Sequence, residues 1–419
     1  MRRTAAYTTT LALLALSVAP TRAAFGAGFD TPILYTARHQ GMGGTAIASV
    51  NDASAGFHNP AGLQGVRGLA LLGDFSLILG KIRASPTTTD NLPSRTVVAP
   101  FFLLGGAYRL KPWLTLGLAG FPVASGGAEY RYPVGRTNPV TWLDKTDIVF
   151  FEVTPMLSLN VPRDRFVPGR LAFGAGYRVN YVTFTRERGE PEQLQYLNLH
   201  MKGASFTGFR LGLQYQPIDE LKLGVVFRNK VVVTTEADTA KVLTAEATDA
   251  SLDFTLPAKL GFGVRTDLGR VGLATDVEWA FQSQNRRPPL SGILMGQSAE
   301  VPNVFDWQNG VTLRLGAEYR VGDLQRFPLR VGYIFDSRVS NPAYPSAFGT
   351  PPAATRTFTA GAGYVQETWQ VNVAVSRRFG STHVNAGELG RGCQFCSFAG
   401  DYSLGMTGLY VDASVDLPR

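Results

Sequence analysis

The residues that could carry out chemistry are few and widely spaced. Gly41, Gly43 and Ala46 follow the spacing of a dinucleotide-binding loop, but that loop needs an acidic residue about 20 positions further on. Asp52 is far too close for this role. The chain has no Walker A, Gly-x-Ser-x-Gly or His-Glu-x-x-His motif, and its four histidines are scattered, at positions 39, 58, 200 and 383. We therefore expect no enzyme activity, no metal site and no cofactor.

The two cysteines of the chain are Cys393 and Cys396. A zinc site would need two further ligands, and His383 is the only histidine nearby. A small disulfide is the preferred interpretation for an exported chain, and free thiols are the alternative.

The first 26 residues have the pattern of a secretory signal peptide. Arg2 and Arg3 precede an apolar core at 11–18, and cleavage is predicted between residues 23 and 27. The apolar run is too short for a membrane-spanning helix. The sequence therefore predicts an exported protein.

The composition is typical of a β-rich membrane protein. Charged residues make up 17%, aromatic residues 11%, and there are 46 glycines. Soluble domains carry about 25% charged residues, whereas outer-membrane strands have an apolar band and aromatic girdles. The net charge of +8 contains no run of Lys or Arg, so no nucleic-acid partner is expected.

Fourteen segments alternate apolar and polar residues with the period of two that predicts strands. They cover residues 67–80, 97–110, 113–121, 146–161, 170–185, 196–215, 220–235, 251–266, 269–283, 307–320, 328–338, 355–366, 369–380 and 402–415. Many reach the 9–11 residues that a tilted strand needs to cross a bilayer. An even number of such strands predicts an all-β fold, a transmembrane antiparallel barrel of fourteen strands over residues 67–419.

The connections between these segments alternate between short and long. Short ones lie at 111–112, 217–220, 267–270 and 366–368, and long ones at 81–96, 122–145, 236–250, 283–306, 340–354 and 381–401. Outer-membrane barrels have short periplasmic turns and long outer loops. The pattern predicts a barrel surrounded by outer-membrane lipid in a Gram-negative bacterium, and we expect a monomer.

Charged residues must face the lumen of such a barrel, because a lipid-facing Arg or Lys near the bilayer midplane costs about 2–4 kcal/mol. The alternation places Arg178, Arg210, Arg265, Arg314 and Arg330 in the lumen, with Asp276, Glu278, Glu318 and Asp336. These arginines either bind the acidic head group of a ligand or pair with the acids and brace the lumen.

Residues 27–66 differ in character from the strands. Small residues dominate, four glycines fall between Gly41 and Gly56, and Asn59-Pro60-Ala61 follows. Pro60 fixes its own φ and biases Asn59 away from helix, so this turn holds one shape. We interpret the stretch as a plug folded inside the barrel.

The plug also contains recognisable motifs, namely Gly41-Met42-Gly43-Gly44, Asn51-Asp52-Ala53-Ser54-Ala55 and Asn59-Pro60-Ala61-Gly62-Leu63. In these motifs it resembles the N-terminal hatch of the FadL/TodX family, outer-membrane transporters of long-chain fatty acids and aromatic hydrocarbons. The resemblance implies a gating role for Gly41, Gly43, Asp52, Asn59, Pro60 and Ala61.

The same resemblance implies a route for the ligand. A hydrophobic molecule is caught by the outer loops, moves to a lumen site near the mature N-terminus and leaves sideways into the membrane through a kinked third strand. The candidate N-terminal residues are Ala27, Gly28 and Phe29. The candidate opening residues are Gly120, Phe121, Pro122, Gly126 and Gly127. Pro cannot donate to a ladder and Gly weakens pairing, which suits a kink; an ordinary strand end is the alternative.

The predicted function is uptake of hydrophobic molecules, most simply long-chain fatty acids. Two alternatives stay open, transport of aromatic hydrocarbons and an accessory role in a secretion system. An open porin is disfavoured, because a plug of about 40 residues must occupy the lumen.

Overall fold

The computed structural model describes residues 28, 34–86, 91–135, 137, 139–161, 168–190, 194–242, 244–345, 348, 350–390 and 398–418. The predicted signal peptide, Ala27, Phe29 and both cysteines lie outside the described residues. Among the described residues, no helix combines the length and apolar character needed to cross a membrane.

Fourteen antiparallel strands form the barrel wall, as predicted. They are β1 (Gly68–Ala84), β2 (Val97–Lys111), β3 (Leu114–Val134), β4 (Val140–Val161), β5 (Arg170–Glu190), β6 (Leu194–Ile218), β7 (Leu221–Arg228 and Val231–Val242), β8 (Ala245–Leu256 and Lys259–Leu268), β9 (Val271–Ala280), β10 (Gly310–Val321), β11 (Phe327–Asp336), β12 (Thr355–Val365), β13 (Trp369–Val384) and β14 (Gly400–Pro418). Each strand pairs with its neighbours, and β1 pairs with β14 from Gly68–Pro418 to Arg83–Ser403. This last pairing closes the barrel.

Two of the predicted strands are interrupted. The segment predicted at 220–235 breaks after Arg228, and the segment predicted at 251–266 breaks at Pro257. Pro257 has no N–H to donate, which explains the second break. At the first break, the side chain of Asn229 bonds to the backbone of β6 at Thr207 and Phe209.

The strands on one side of the barrel are longer than predicted. The loop expected at 122–145 is mostly strand, because β3 continues to Val134 and β4 begins at Val140. Proline and charged residues in this stretch suggested a loop, yet Tyr130 and Tyr132 keep the alternation and are buried. Strands β3 to β6 have 21–25 residues, whereas β9 to β12 have 10–12.

Side chains alternate between lipid and lumen as the sequence predicted. Leu104, Val373 and Leu409 are among the exposed apolar residues of the outer face. Arg210, Glu152 and Asp276 are among the buried polar residues of the inner face. The wall therefore has an apolar exterior and a polar lumen, as the burial cost of charge in lipid requires.

The described plug, residues 34–66, lies inside the barrel. It contains one helical turn, α1 (Ala37–Gln40), and two 3₁₀ segments at Ala53–Gly56 and Pro60–Gly65. Almost all of its side chains are buried. Its backbone N–H groups consequently need partners on the surrounding wall.

Candidate functional site

Three wall carboxylates hold the backbone of the plug. Asp276 on β9 accepts hydrogen bonds from the N–H groups of Ala46 (2.8 Å) and Ile47 (3.0 Å). Asp74 on β1 accepts from the Ala37 N–H at 3.1 Å. Asp412 on β14 accepts from the Arg38 N–H at 2.7 Å. The plug is thus attached to β1, β9 and β14 through its backbone N–H groups, which do not depend on the side chains of the plug.

Asn59 joins the plug to two further strands. Its side-chain amide donates to the carbonyl oxygens of Ile47 (2.8 Å), Leu213 on β6 (3.1 Å) and Val225 on β7 (3.2 Å). Its Oδ1 accepts from the Ala61 N–H at 3.2 Å. A fully buried amide with these bonds fixes the turn that the sequence singled out.

Wall glycines allow the plug to approach closely. A Cβ on Gly212 would lie 1.9 Å from Asn59 Oδ1, and a Cβ on Gly174 would lie 2.1 Å from the Ala61 nitrogen. On the other side of the plug, a Cβ on Gly332 would lie 2.0 Å from the Gly43 nitrogen. Side chains at these wall positions would displace the plug.

The remaining predicted plug residues have local roles. Asp52 caps the first 3₁₀ segment by accepting from the Ser54 N–H at 2.9 Å. Gly43 has φ +66°, a left-handed conformation that favours glycine, and donates to Thr359 Oγ1 at 3.0 Å. The Thr359 hydroxyl in turn donates to the Gly41 carbonyl at 3.1 Å.

Two histidines, distant in the sequence, lie side by side in the plug. The rings of His39 and His58 lie 4.9 Å apart between centroids. Burial and the neighbouring Arg38 hold the pKa of His39 well below its ordinary value. Burial and His39 do the same to the pKa of His58, which contacts the Tyr35 carbonyl. Both rings are therefore neutral at pH 7. Within the described ranges, no group of three or more His, Cys, Asp or Glu is arranged to hold a metal ion.

The five predicted lumen arginines belong to two groups of ion pairs at different heights in the barrel, which we call layers. Arg178 and Arg210 share Glu152, at 2.8 and 3.2 Å, while Arg314 lies 3.5 Å from Glu278. Arg265 and Arg330 form the other layer and share Glu318, at 2.9 and 2.8 Å. All five are paired with acids, so the structure does not gather them into one ligand site.

The layer around Glu278 carries an excess of positive charge. Glu278 also meets Arg228 at 2.9 Å and Lys259 at 3.3 Å, two bases that the sequence reasoning missed. Arg228 and Lys259 occupy the positions next to the two strand interruptions, where the expected alternation was hard to follow. Nε and Nη1 of Arg210 are buried without a hydrogen-bond partner in the described part of the chain.

The layer around Glu318 faces a polar cavity at the short-turn end of the barrel. This cavity has a volume of about 490 Å³ and lies between the plug and the wall. Charged side chains from both sides line it, including Arg38, Asp52, Arg330 and Asp416. Such a lining suits water and is unfavourable for an apolar molecule.

A second cavity, of about 230 Å³, lies at the long-loop end. Its apolar lining includes the rings of Phe184, Phe254, Phe305, Trp307 and Phe348. Arg186 and Arg188 line it as well, and both contact Asp144. The predicted N-terminal residue Gly28 reaches this region, since a Cβ there would lie 3.1 Å from the Trp307 ring.

Aromatic rings continue from this outer cavity towards the plug. Phe184 and Phe254 lie 4.8 Å apart between centroids, and Phe150 lies 6.3 Å from Phe254. Nearer the plug, Phe121 on β3 lies 5.3 Å from Phe57 of the plug. These rings belong to one continuous apolar cluster.

The ladder between β2 and β3 opens beside that cluster. Pairing runs from Lys111–Leu114 to Leu104–Gly120 and stops there. Over residues 96–103 and 121–128, all of them described, the two strands form no ladder pair. Hydrogen bonding resumes where the Arg95 N–H donates to the Glu129 carbonyl at 2.7 Å. The register is unchanged across the break, because nine positions separate its ends on each strand.

Strand β3 bends inward along this break. Residues 121–124 are all buried, so the alternation is lost, and the pairing with β4 shifts at Val123. Pro122 and, on β2, Pro100 supply no N–H to a ladder. The Tyr35 hydroxyl of the plug donates to the Pro122 carbonyl at 2.9 Å. The five residues predicted for an opening lie in or beside a break in the wall, and β3 does not end there.

Fold and site together define a plugged β-barrel of the outer membrane that transports hydrophobic compounds. The chain belongs to the family described as outer membrane protein transport protein (OMPP1/FadL/TodX), whose model matches residues 106–388. The family consists of transport channels, not enzymes. None of the curated protein sequences is significantly similar to the chain.

Solved structures of similar fold include three bacterial proteins. A Pseudomonas aeruginosa FadL homologue has a TM-score of 0.71 at 16% identity, covering 93% of this chain and 100% of that one. The Pseudomonas putida toluene transporter TodX has 0.69 at 17%, with 93% and 100% covered. The Ralstonia pickettii toluene transporter TbuX has 0.63 at 15%, with 92% and 98% covered. At these identities the likeness concerns the fold alone.

Proposed function

We propose that this barrel takes up long-chain fatty acids, with the outer cavity as the capture site and the break between β2 and β3 as the exit. The break beside an apolar cluster is the observation that carries the proposal. Each buried methylene contributes about 0.8 kcal/mol to binding, so a long alkyl chain has ample driving force to enter.

The chemistry of the outer cavity supports an amphipathic anion. Its rings accept an alkyl chain, and Arg186 and Arg188 place two positive charges beside Asp144. Deeper in the lumen, the two unpartnered nitrogens of Arg210 are donors that a carboxylate can accept from. An aromatic hydrocarbon would use the rings and leave these donors without a partner.

The lining of the two remaining routes favours lateral exit. A molecule passing straight through would have to cross the charged cavity beneath the plug, around Arg38, Asp52 and Arg330. A molecule leaving through the wall stays among Phe150, Phe121 and Phe57. Transfer of apolar surface to lipid avoids the cost of rehydration.

In this proposal the plug controls the exit. Tyr35 and Phe57 of the plug cover Phe121 and Pro122 from the lumen side. When the plug shifts, the rings separate and the Pro122 carbonyl loses its donor. The opening therefore depends on the state of the plug.

A displacement titration on purified protein tests the substrate class. We expect fatty acids to compete with a fluorescent fatty acid, and two extra methylenes to tighten binding about tenfold until the site is full. If toluene displaces the fluorescent probe with the same affinity as a C16 fatty acid does, the assignment moves to aromatic hydrocarbons. A lumen without ligand and a protein that co-purifies at one to one would favour the secretion role.

A disulfide across the break tests the exit. In a background with Cys393→Ser and Cys396→Ser, Ala99→Cys and Ser125→Cys place thiols on the facing edges of β2 and β3. Oxidation should abolish fatty acid transfer into liposomes and leave binding intact. The control pair Ile78→Cys and Ala99→Cys bridges a ladder position that is already closed. Full transfer through the oxidised test pair would refute lateral exit.

Asn59→Ala tests the role of the plug. Losing its bonds to β6 and β7 should reduce the transfer rate without loss of barrel assembly, and heat-modifiable migration measures that assembly. Asn51→Ala is the matched control, because Asn51 is an exposed plug asparagine. An unchanged rate in a correctly assembled Asn59→Ala protein would count against gating.

A further inference from the structure

Four basic side chains point away from the lumen near the long-loop end of the barrel. They are Lys81 and Arg83 on β1, Arg356 on β12 and Arg377 on β13, and all four are exposed. Their sequence neighbours, among them Ile82, Thr357 and Arg378, are buried on the lumen side. Because side chains alternate along a strand, the four bases face the membrane side of the wall.

The ladder register places these bases together. Arg356 faces Phe379, Phe379 faces Gly405, and Gly405 faces Lys81 on consecutive strands. With strands about 4.8 Å apart, this row is about 14 Å wide. The guanidinium of Arg377 lies in the middle of this row, 3.3 Å from the position that a Cβ on Gly405 would take. Arg83 follows two residues above Lys81.

Within the described part of the chain, this basic patch has no acidic partner. None of its four members takes part in an ion pair with a described residue, and Arg377 donates only to the Thr407 hydroxyl, at 2.9 Å. Asp401 is the outward acid on the upper part of β14, and it lies 2.7 Å from His383. The patch therefore presents four free positive charges across four adjacent strands.

The patch lies at the upper edge of the apolar band. Below Lys81, the outward positions of β1 are Leu69, Leu71, Gly73, Phe75, Leu77 and Leu79. At about 3.3 Å per residue and a tilt near 40°, this stretch is roughly 25 Å high. That is the height of the hydrocarbon band, so the four charges meet the lipid head groups of the outer leaflet.

We propose that the basic patch binds the phosphate groups of a phosphorylated lipid of the outer leaflet. Arginine and lysine are the preferred partners of phosphate oxygens. The acyl chains of the same lipid would lie on the apolar band directly below. This site is on the outer surface and is independent of the transport route.

Native mass spectrometry of the full-length protein in mixed micelles tests the site. The probes are diphosphoryl lipid A and the same glycolipid with its phosphates removed. We expect the wild type to retain the phosphorylated form at least about tenfold better, and this preference to disappear in the variant Lys81→Gln/Arg83→Gln/Arg356→Gln/Arg377→Gln. The double variant Arg356→Lys/Arg377→Lys should keep the preference, because it keeps the charge.

A second variant controls for the loss of charge. It replaces four bases at the short-turn end of the barrel, Lys111→Gln, Arg170→Gln, Arg270→Gln and Arg326→Gln, and should bind as the wild type does. If the quadruple patch variant does not assemble, the pairs Lys81→Gln/Arg83→Gln and Arg356→Gln/Arg377→Gln are each expected to lower retention. Equal retention of the two glycolipids by the wild type, or displacement by inorganic phosphate at equal concentration, would overturn the proposal.

Discussion

Two long breaks interrupt the strand pairing in the described part of the barrel wall, and they differ in which part of the molecule bonds across them. Between β6 and β7, pairing stops at Arg210–Arg228 and resumes at Lys202–Glu236. This break is of nearly the same length as the one between β2 and β3. The difference lies in what satisfies the backbone groups that the missing ladder leaves behind.

At the β6–β7 break, Asn229 replaces the ladder with its side chain. Its Oδ1 accepts from the Phe209 N–H at 2.7 Å, and its amide donates to the Thr207 carbonyl at 2.9 Å. The backbone carbonyl of Asn229 points into the lumen and accepts a hydrogen bond from Arg178 Nη1 at 3.2 Å. Arg178 is thereby both a partner of Glu152 and a support for this bend.

At the β2–β3 break, the corresponding partner comes from the plug. The Pro122 carbonyl accepts from the Tyr35 hydroxyl, and Pro122 has no N–H that needs an acceptor. Unsatisfied backbone groups are costly inside a membrane. In the proposed mechanism, the break that the wall bonds across stays shut, and the break that the plug covers opens when the plug moves.

Removing the seal from the wall should have the largest effect. Asn229→Ala leaves the Phe209 N–H and the Thr207 carbonyl without partners, at roughly 2–4 kcal/mol in total. We expect a lower thermal unfolding midpoint and faster hydrogen exchange at the Phe209 amide. Asn198→Ala, on the upper part of β6, is the control. An unchanged midpoint would show that β6 and β7 are held by packing alone.

Removing the hydrogen bond that the plug makes to the β2–β3 break should lower the stability less. Tyr35→Phe deletes the bond to Pro122 at about 1–2 kcal/mol and should raise hydrogen exchange at Val123 and Ala124. Tyr402→Phe is the matched control, a buried tyrosine of β14 whose hydroxyl also donates to a backbone carbonyl, that of Phe398, at 2.6 Å. If hydrogen exchange at Val123 and Ala124 is the same in the two variants, the plug does not control the opening.

Restoring a donor at the kink should have a smaller effect. Pro122→Ala supplies an N–H and relaxes the backbone, and its stability should stay within about 1 kcal/mol of wild type. We expect slower fatty acid transfer, because the new N–H can hydrogen-bond to β2 and so favours the paired, closed state of the wall. Pro257→Ala, at the interruption of β8, should leave the transfer rate unchanged; the reverse pattern would contradict the assignment of the exit.

The smallest effect concerns pH. His39 and His58 have lowered pKa values in the docked plug, whereas a released plug has ordinary values near 6.5. Below pH 6.5 the released plug takes up protons that the docked plug does not, so docking weakens as pH falls. Plug amides should exchange faster at pH 5.5 than at pH 7.5, and His39→Gln/His58→Gln should remove this dependence. A dependence that persists in the double variant would point to other groups.

Alternation in the sequence correctly predicted fourteen strands and the faces of their residues. It predicted strand ends poorly where the barrel rises above the membrane, because the loop signals of residues 122–145 lie within β3 and β4. The lumen position of Arg178 and Arg314 followed from the cost of charge in lipid. Their partners Glu152 and Glu278 belong to neighbouring strands, and partner choice depends on the register.

By itself, the sequence determined the barrel and the plug. These follow from local rules, namely the period of two, the lengths of the connections and the rigidity of Asn59-Pro60. Only the tertiary structure decided where the strand pairing is interrupted and which groups bond across each interruption. Tyr35 and Pro122 are 87 positions apart in the sequence. In the sequence alone, Asn229 cannot be distinguished from an ordinary turn asparagine, because its partners belong to β6. Pairing of distant backbone groups is a property of the closed barrel, and no local pattern encodes it.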